Sequence, residues 1–373
     1  MSFPLTEEQE LVRKTVAEFA DARVAPQAVA TDRERRFPGD LLREMAGLGL
    51  LGMLVDPKWG GAGTDTVSFV LATEEIARRC GSTAAAFANV NALANLTISR
   101  AGSDELRGSL LPELTAGRKL PAWALAEPGA GSDIAGVATI ARKDGDEHVL
   151  NGLKSFVVGA GSVDEYVVFA REGKELVPFV VPSDAKGLAV GKPERSMTLR
   201  GAVMAQVFLK DVRVPSERRL QGDGVEAIVE SSKAHRLAVS AIATGLMAAS
   251  LELCRGYAGE RSQFRQPIKN FQAIQWKVAE MDVRIRAARM LTLAAARRRD
   301  EGKPYDTDAA AAKLFAGEAA KWVTQEAIRL HGGAGFMREV PLERYNRDAR
   351  ATSILGGTSE IQRALLAADL LGL

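Results

Sequence analysis

Hydrophobic positions along the 373-residue chain fall into three successive textures. From residue 1 to about 118, apolar residues recur every three or four positions, the spacing that lines one stripe of a helix. Thr6 reads as an N-cap with Glu8 and Gln9 in the first turn, and Leu11, Val12, Val16, Phe19 and Ala20 carry the stripe. Phe37-Pro38-Gly39-Asp40 breaks the pattern, and a second helix is expected through Leu41, Leu42, Met45, Leu48 and Leu50. Trp59-Gly60-Gly61-Ala62-Gly63 is a glycine-rich turn. A long apolar helical stretch follows from Val67 to Ile98, punctuated near Gly81-Ser82.

From about 119 to 221 the period shortens. Val137-Ala138-Thr139-Ile140, His148-Val149-Leu150, Phe156-Val157-Val158, Tyr166-Val167-Val168-Phe169 and Pro178-Phe179-Val180-Val181 are short runs, mostly bounded by Gly, Asp or Pro. Val207-Phe208-Leu209 and Val212-Arg213-Val214-Pro215 close the region. Such runs predict a small β-sandwich or barrel. From 222 to 373 the helical period returns. Ile274, Val278, Met281, Ile285, Ala288 and Leu291 form one stripe, and an alanine-rich helix follows Asp306-Thr307-Asp308 through Leu330. Small residues let helices approach closely, so a bundle is expected. The fold class is thus mainly α with a central β domain, divided at 1–118, 119–221 and 222–373. Architecture of this kind names no function by itself.

Composition narrows the classes. Hydrophobic residues make up 46% of the chain, enough for a large core, and the formal net charge is only +2. That balance gives no case for a nucleic-acid partner. Arg297-Arg298-Arg299 is followed at once by Asp300 and Glu301 and reads as a solvated helix end. Cys80 and Cys254 make neither a disulfide framework nor a zinc site. Met1-Ser2-Phe3-Pro4 leads straight to Glu7, Glu8 and Glu10, unlike a signal peptide. No uninterrupted apolar run approaches a membrane span. A cytoplasmic protein is expected. GxGxxG after a strand, GxxxxGK[ST] and GxSxG are all missing, and His148, His235 and His331 lack metal-ligand spacing.

One segment stands out: Glu127-Pro128-Gly129-Ala130-Gly131-Ser132-Asp133. Small residues beside a proline let backbone amides point into a cleft, and Ser132 adds a hydroxyl. Alone it is equally an ordinary glycine-rich turn. It is accompanied by Arg261-Ser262-Gln263-Phe264, ending at Phe271-Gln272, then Gly332-Gly333-Ala334-Gly335-Phe336, Arg347-Asp348-Ala349 and Gly357-Thr358-Ser359-Glu360-Ile361-Gln362-Arg363. In this order and at these separations the motifs resemble those of the acyl-CoA dehydrogenase family, over essentially the whole chain.

The resemblance implies an N-terminal helical domain, a middle β domain and a C-terminal four-helix bundle. It implies FAD as cofactor, an acyl-CoA or acyl-carrier-protein thioester as substrate, and an electron-transfer flavoprotein as acceptor. The expected assembly is a homotetramer, or a hetero-oligomer with a related subunit. Leu125, Ala126, Ser132, Phe156 and Val158 are implied around the flavin ring or thioester. Arg261, Phe264, Gln272, Arg329, Gly332, Gly333, Thr358 and Glu360 are implied around the rest of the dinucleotide, some from a neighbouring subunit. A guanidinium such as that of Arg261 suits a pyrophosphate. Ser132, Arg236 and Leu355 are the implied substrate contacts.

The family reaction removes an α-proton and a β-hydride, and the proton goes to a carboxylate held in a dry, aligned site. The usual glutamate place is Gly356 here, and the alternative place, just before Arg236, is His235. Ala126 replaces a usual threonine, while Phe156 and Val158 replace a usual Trp and Thr. Two readings follow for His235. Either imidazole is the base or acid in altered chemistry, or it caps a helix start or contacts a phosphate in a subunit with little dehydrogenase activity. A backbone amide at Gly356 would still polarise a thioester carbonyl. Non-dehydrogenating thioester chemistry, such as an elimination, and a non-catalytic subunit of a mixed oligomer stand as alternatives.

Overall fold

The computed structural model describes residues 4–373. Met1, Ser2 and Phe3, on which part of the signal-peptide reading rests, lie outside the described residues. The N-terminal helices are α1 Glu7–Phe19, α2 Ala28–Arg33, α3 Gly39–Ala46, α4 Thr66–Arg79, α5 Gly81–Ala88, α6 Leu96–Ala101 and α7 Asp104–Thr115. Thr6 starts α1 through a reciprocal capping box. Gln9 N donates to Thr6 Oγ1 (3.2 Å) and Thr6 N donates to Gln9 Oε1 (3.1 Å). The second helix is shorter than its apolar pattern predicts. It ends at Ala46 because the chain turns at Gly49, whose φ of 75° lies in the left-handed region, and Leu50 restarts a 3-10 turn.

The middle region is one seven-stranded sheet, curled as a half-barrel. Its strands are β1 Pro121–Ala124, β2 Ile140–Asp144, β3 Glu147–Val158, β4 Glu165–Glu172, β5 Glu175–Pro182, β6 Leu188–Val190 and β7 Met204–Pro215. The order is β1-β4-β2-β3-β7-β6, with β5 pairing β4. Two expectations are corrected. The runs at 148–150 and 156–158 are one strand, β3, bent by two register shifts against β7. Residues 137–139 precede β2 rather than forming strand, because the N–H groups of Ala138 and Thr139 are taken by the Glu127 carboxylate.

The C-terminal region holds α8 Gly224–Glu260, a short hairpin of β8 Ser262–Gln263 and β9 Gln266–Pro267, then α9 Gln272–Asp300, α10 Asp306–His331, α11 Leu342–Ala351 and α12 Ser359–Leu371. Helix α8 is long and apolar enough to cross a membrane by length and composition, contrary to the reading from uninterrupted runs. Its most apolar window is 78% buried inside the fold, as expected for a core helix. It packs on α4, α9 and α10. Where α4 and α8 cross, a Cβ on Gly245 would lie 2.5 Å from the Glu74 carbonyl oxygen and 2.8 Å from Ala77 Cβ, so only glycine allows this approach.

Helix α11 ties the regions together. Arg347 donates to both Asp32 carboxylate oxygens of α2 (3.1 and 2.8 Å) and to Glu343 (2.7 Å). Buried Asp348 accepts from Leu199 N at 2.7 Å. The Arg347-Asp348 motif therefore works as a latch between the C-terminal helices, α2 and the loop before β7.

Candidate active site

Glu127 and Ala130 exchange backbone hydrogen bonds (2.9 and 3.1 Å), closing a tight turn over Pro128-Gly129. Gly129 and Gly131 have open space where a side chain would stand, and Ser132 is exposed. The Glu127 side chain turns inward. Its carboxylate accepts from Ala138 N (2.6 Å), Thr139 N (3.0 Å), Thr139 Oγ1 (2.5 Å) and Lys154 Nζ (2.6 Å). Desolvation would raise its pKa, but the bonds from Lys154, Thr139 and Ala138 outweigh it and hold the carboxyl below its usual range. Burial draws the Lys154 ammonium down to about 8, against the pull of Glu127.

Lys154 also donates to Leu125 O (3.2 Å), and Ser155 N donates to Ala126 O (2.8 Å). These bonds clamp β3 to the segment before the turn, so Leu125 and Ala126 are brought beside the strand that carries Phe156 and Val158. Phe156 sits in the second bulge at φ 55° and is 62% exposed, while Val158 is half-buried. Lys154 was missed from sequence. A single lysine inside a β run reads as a solvated position, and only its pairing with Glu127 shows otherwise.

The second cluster surrounds Gly356. His235 is buried in α8, and the helix begins at Gly224 with Asp223 as its side-chain cap. Three turns inside, His235 cannot cap the helix start, and that reading is set aside. Gly356 has φ 68° and Gly357 φ 91°. A Cβ on Gly356 would lie 3.4 Å from His235 Nδ1, 3.6 Å from Val239 and 3.7 Å from Arg236 Cγ. The two positions read from sequence as places for a base thus face each other at van der Waals distance. Lys313 donates to Gly357 O at 2.5 Å, and Gln362 donates to Gly356 O (3.2 Å) and Gly357 O (2.9 Å), which fixes the loop. Burial, then the charges of Lys313 and Arg236, press the His235 pKa down to about 4. Leu355 packs half-buried against the main core. Lys313 is a further residue that sequence reasoning missed, one lysine among alanines.

The remaining residues form a largely exposed series in the C-terminal region. Arg261 ends α8, and its carbonyl accepts from Ile268 N (2.8 Å) to close the β8–β9 hairpin. Phe264 and Arg265 turn that hairpin at φ 49° and 64°, positions that favour Asn-Gly. Phe264 is 88% exposed and meets Phe271 edge-on at 6.0 Å. Gln272 is exposed at the start of α9. Arg329 pairs with Glu326 near the end of α10. Gly332, at φ 57°, and Gly333 have nothing within 4 Å of a would-be Cβ. Thr358 caps α12, accepting from Ile361 N, and Glu360 stands exposed in its first turn. Phe156 and Phe264 are both large aromatics held outward on left-handed backbone, at a cost on the order of 1–3 kcal/mol each. Strained, solvent-facing rings of this kind fit a planar ligand, and the open glycines fit close approach of a phosphate chain.

Comparison with known proteins agrees over the full length. The N-terminal, middle and C-terminal domain families of acyl-CoA dehydrogenase match residues 6–118, 122–212 and 222–371. A probable acyl-CoA dehydrogenase of Bacillus subtilis, YngJ, is 40% identical over 380 residues, covering 100% of both chains. The butyryl-CoA dehydrogenase of Megasphaera elsdenii superposes with a TM-score of 0.96 at 34% identity, again covering 100% of both. The prolyl acyl carrier protein oxidase AnaB superposes with a TM-score of 0.94 at 30% identity, over 99% of this chain and 100% of that one. With these matches running from α1 to α12, this chain belongs to the acyl-CoA dehydrogenase family.

Proposed function

We propose that this chain is an FAD-dependent dehydrogenase of acyl thioesters in which His235 takes the place of the carboxylate base. The observation that carries the reading is the approach of His235 Nδ1 to Gly356, 3.4 Å from where a side chain would begin. A base with a pKa of about 4 is close to what a glutamate offers, so burial has tuned this imidazole into the range of the group it replaces. Leu125, Ala126, Ser132, Phe156 and Val158 hold the flavin ring. Arg261, Phe264, Gln272, Arg329, Gly332, Gly333, Thr358 and Glu360 hold the diphosphate and adenosine. The exposure of this second series fits a cofactor shared between subunits of a homotetramer.

Bound FAD supplies the acceptor for a β-hydride. The chain's own residues do the rest. His235 receives the α-proton at Nδ1. Lys313 and Gln362 engage the carbonyls of the Gly356-Gly357 loop and fix it, and the Gly356 amide polarises the thioester carbonyl. Ser132, Arg236 and Leu355 contact the substrate, whose acyl group rides on coenzyme A or on a carrier protein. The AnaB likeness supports the second carrier. Electrons leave to an electron-transfer flavoprotein, in the cytoplasm.

The test is to mix purified holoprotein with a panel of acyl-CoAs and follow the flavin absorbance. Bleaching in the wild type, and its loss in His235→Ala with FAD still bound, is the expected result. Wild-type rates in His235→Ala overturn the assignment of the base.

A further inference from the structure

A cleft of about 430 Å³ opens between α2, the end of α4, the turn before β7 and the start of α11. Five guanidiniums line it, those of Arg33, Arg79, Arg200, Arg338 and Arg344, each from a different part of the chain. Three carboxylates share the wall, Asp32, Glu339 and Glu343. Arg347, which is not on the wall, takes both oxygens of Asp32 and both of Glu343. Arg79 is matched by Asp21 and Glu252. Arg200 reaches Asp32 at 3.8 Å, and Arg33, Arg338 and Glu339 form no ion pair among the described residues. Buried Asp348, also off the wall, acts on both Arg344 and Arg347. Charge is therefore largely balanced in sum, and the case rests on shape and on unmet donors.

Arg344 is 7% exposed, and its guanidinium lies 5.4 Å from the Tyr345 ring centre. Its Nε is enclosed without a partner, as is that of Arg200, although buried polar atoms nearly always find one. A guanidinium carries five N–H donors, and those of Arg33, Arg338 and Arg344 meet no protein carboxylate or carbonyl among the described residues. Planar forks converging from three directions match the several oxygens of a diphosphate better than a single carboxylate. Ala25, Val29 and Pro341 give the same cleft an apolar side. Its volume lies within the roughly 300–1,000 Å³ of small-molecule sites. We infer that this cleft binds a small molecule bearing a diphosphate, held by Arg33, Arg338 and Arg344, with Arg200 beside it. No residue of its wall belongs to the flavin or thioester clusters described above, so the inference stands apart from the proposed reaction. The ligand would bridge α2 and α11, the elements that Arg347 and Asp32 already join, and so reinforce that latch.

The test titrates the holoprotein with ADP, inorganic pyrophosphate and adenosine, by calorimetry and by thermal melts. ADP and pyrophosphate should bind and raise the melting temperature, and adenosine should do neither. ADP at least fivefold tighter than pyrophosphate identifies a nucleoside diphosphate, and equal binding identifies the diphosphate group alone. Arg344→Gln should weaken binding at least tenfold. Arg338→Gln and Arg33→Gln, both at exposed positions, should each weaken it at least fivefold, and they carry the test if the buried variant fails to fold. Glu339→Gln, which removes a carboxylate from the wall, should tighten binding at least twofold. Arg142→Gln, at an exposed position on β2, should leave it unchanged. The flavin spectrum should not respond to either ligand. No binding of ADP or pyrophosphate, adenosine as tight as ADP, or binding indifferent to Arg33, Arg338 and Arg344 overturns the inference. None of these outcomes touches the thioester reading.

Discussion

Lys154→Met removes one partner of a buried ion pair and leaves Glu127 with its charge. The Lys154 side chain is fully buried and that of Glu127 nearly so, at 2.6 Å separation. Stranding one member of such a pair costs about 3–5 kcal/mol. Three donors from Ala138 and Thr139 remain on the carboxylate, which places the expected loss near the lower end, about 3 kcal/mol. The double variant Glu127→Gln/Lys154→Met carries no buried charge. Its amide oxygen still accepts from Thr139 and only the bond from Ala138 N is lost, so its expected loss is smaller, about 1–2 kcal/mol. Urea unfolding followed by circular dichroism and by flavin release measures both. Because Lys154 and Ser155 clamp β3 to Leu125 and Ala126, the single variant should also release flavin at lower urea than it unfolds. A single variant within 1 kcal/mol of wild type, or a double variant as damaged as the sum of its singles, refutes the reasoning.

Other expectations follow from the same structure. His235 has a folded pKa of about 4 against an ordinary 6.5, so the unfolded chain binds the extra proton first. Its contribution to stability is present above pH 6.5 and lost as the pH falls toward 4, a slope that His235→Phe should flatten. With the imidazole neutral throughout, the rate of flavin reduction should hold down to about pH 4, and a fall centred near 6.5 would contradict the burial argument. Buried Asp348 behaves oppositely. Desolvation raises its pKa to about 6, so the stability it lends is present below pH 3.8 and lost as the pH rises through 6. Asp348→Asn, which still accepts from Leu199 N, should remove this slope, as thermal melts across the range would show. Gly356→Glu should raise turnover of butyryl-CoA despite about 1–2 kcal/mol of left-handed strain. No gain with FAD and substrate bound would mean the position is misaligned. Cys80 and Cys254 are both buried, the latter with its thiol pushed up to about 12, and should resist a thiol reagent until the protein unfolds.

Helices whose apolar stripe matches their burial were legible from sequence. Thr6 and Gln9 declare the start of α1, and Met281, Ile285 and Ala288 are the buried stripe of α9. Position-dependent backbone was not. Gly49 ends α3 early, and the two bulges of β3 turn Phe156 outward. The site shows the same division. His235 and Gly356 were singled out as departures from a resembled motif, but that they face each other is a tertiary fact. Lys154 and Lys313 left no mark, since a buried lysine is betrayed only by the carboxylate or carbonyl that receives it. Arg347-Asp348 was visible as a motif, yet its work as a latch depends on Asp32 and Leu199, far away in the chain.

The glycine at which α4 and α8 cross acts as an indexing pin. Gly245 and His235 share one rigid helix, ten residues or ~15 Å apart along its axis. With a Cβ at Gly245 forbidden by the Glu74 carbonyl, the axial position of α8 is fixed at that crossing, and so is the depth at which the imidazole projects. Gly245→Ala should slide or tilt the helix and displace the His235 imidazole, which it never touches. Tuning of this enzyme need not happen at its chemistry. A methyl group at a distant helix crossing is enough to reset the stroke.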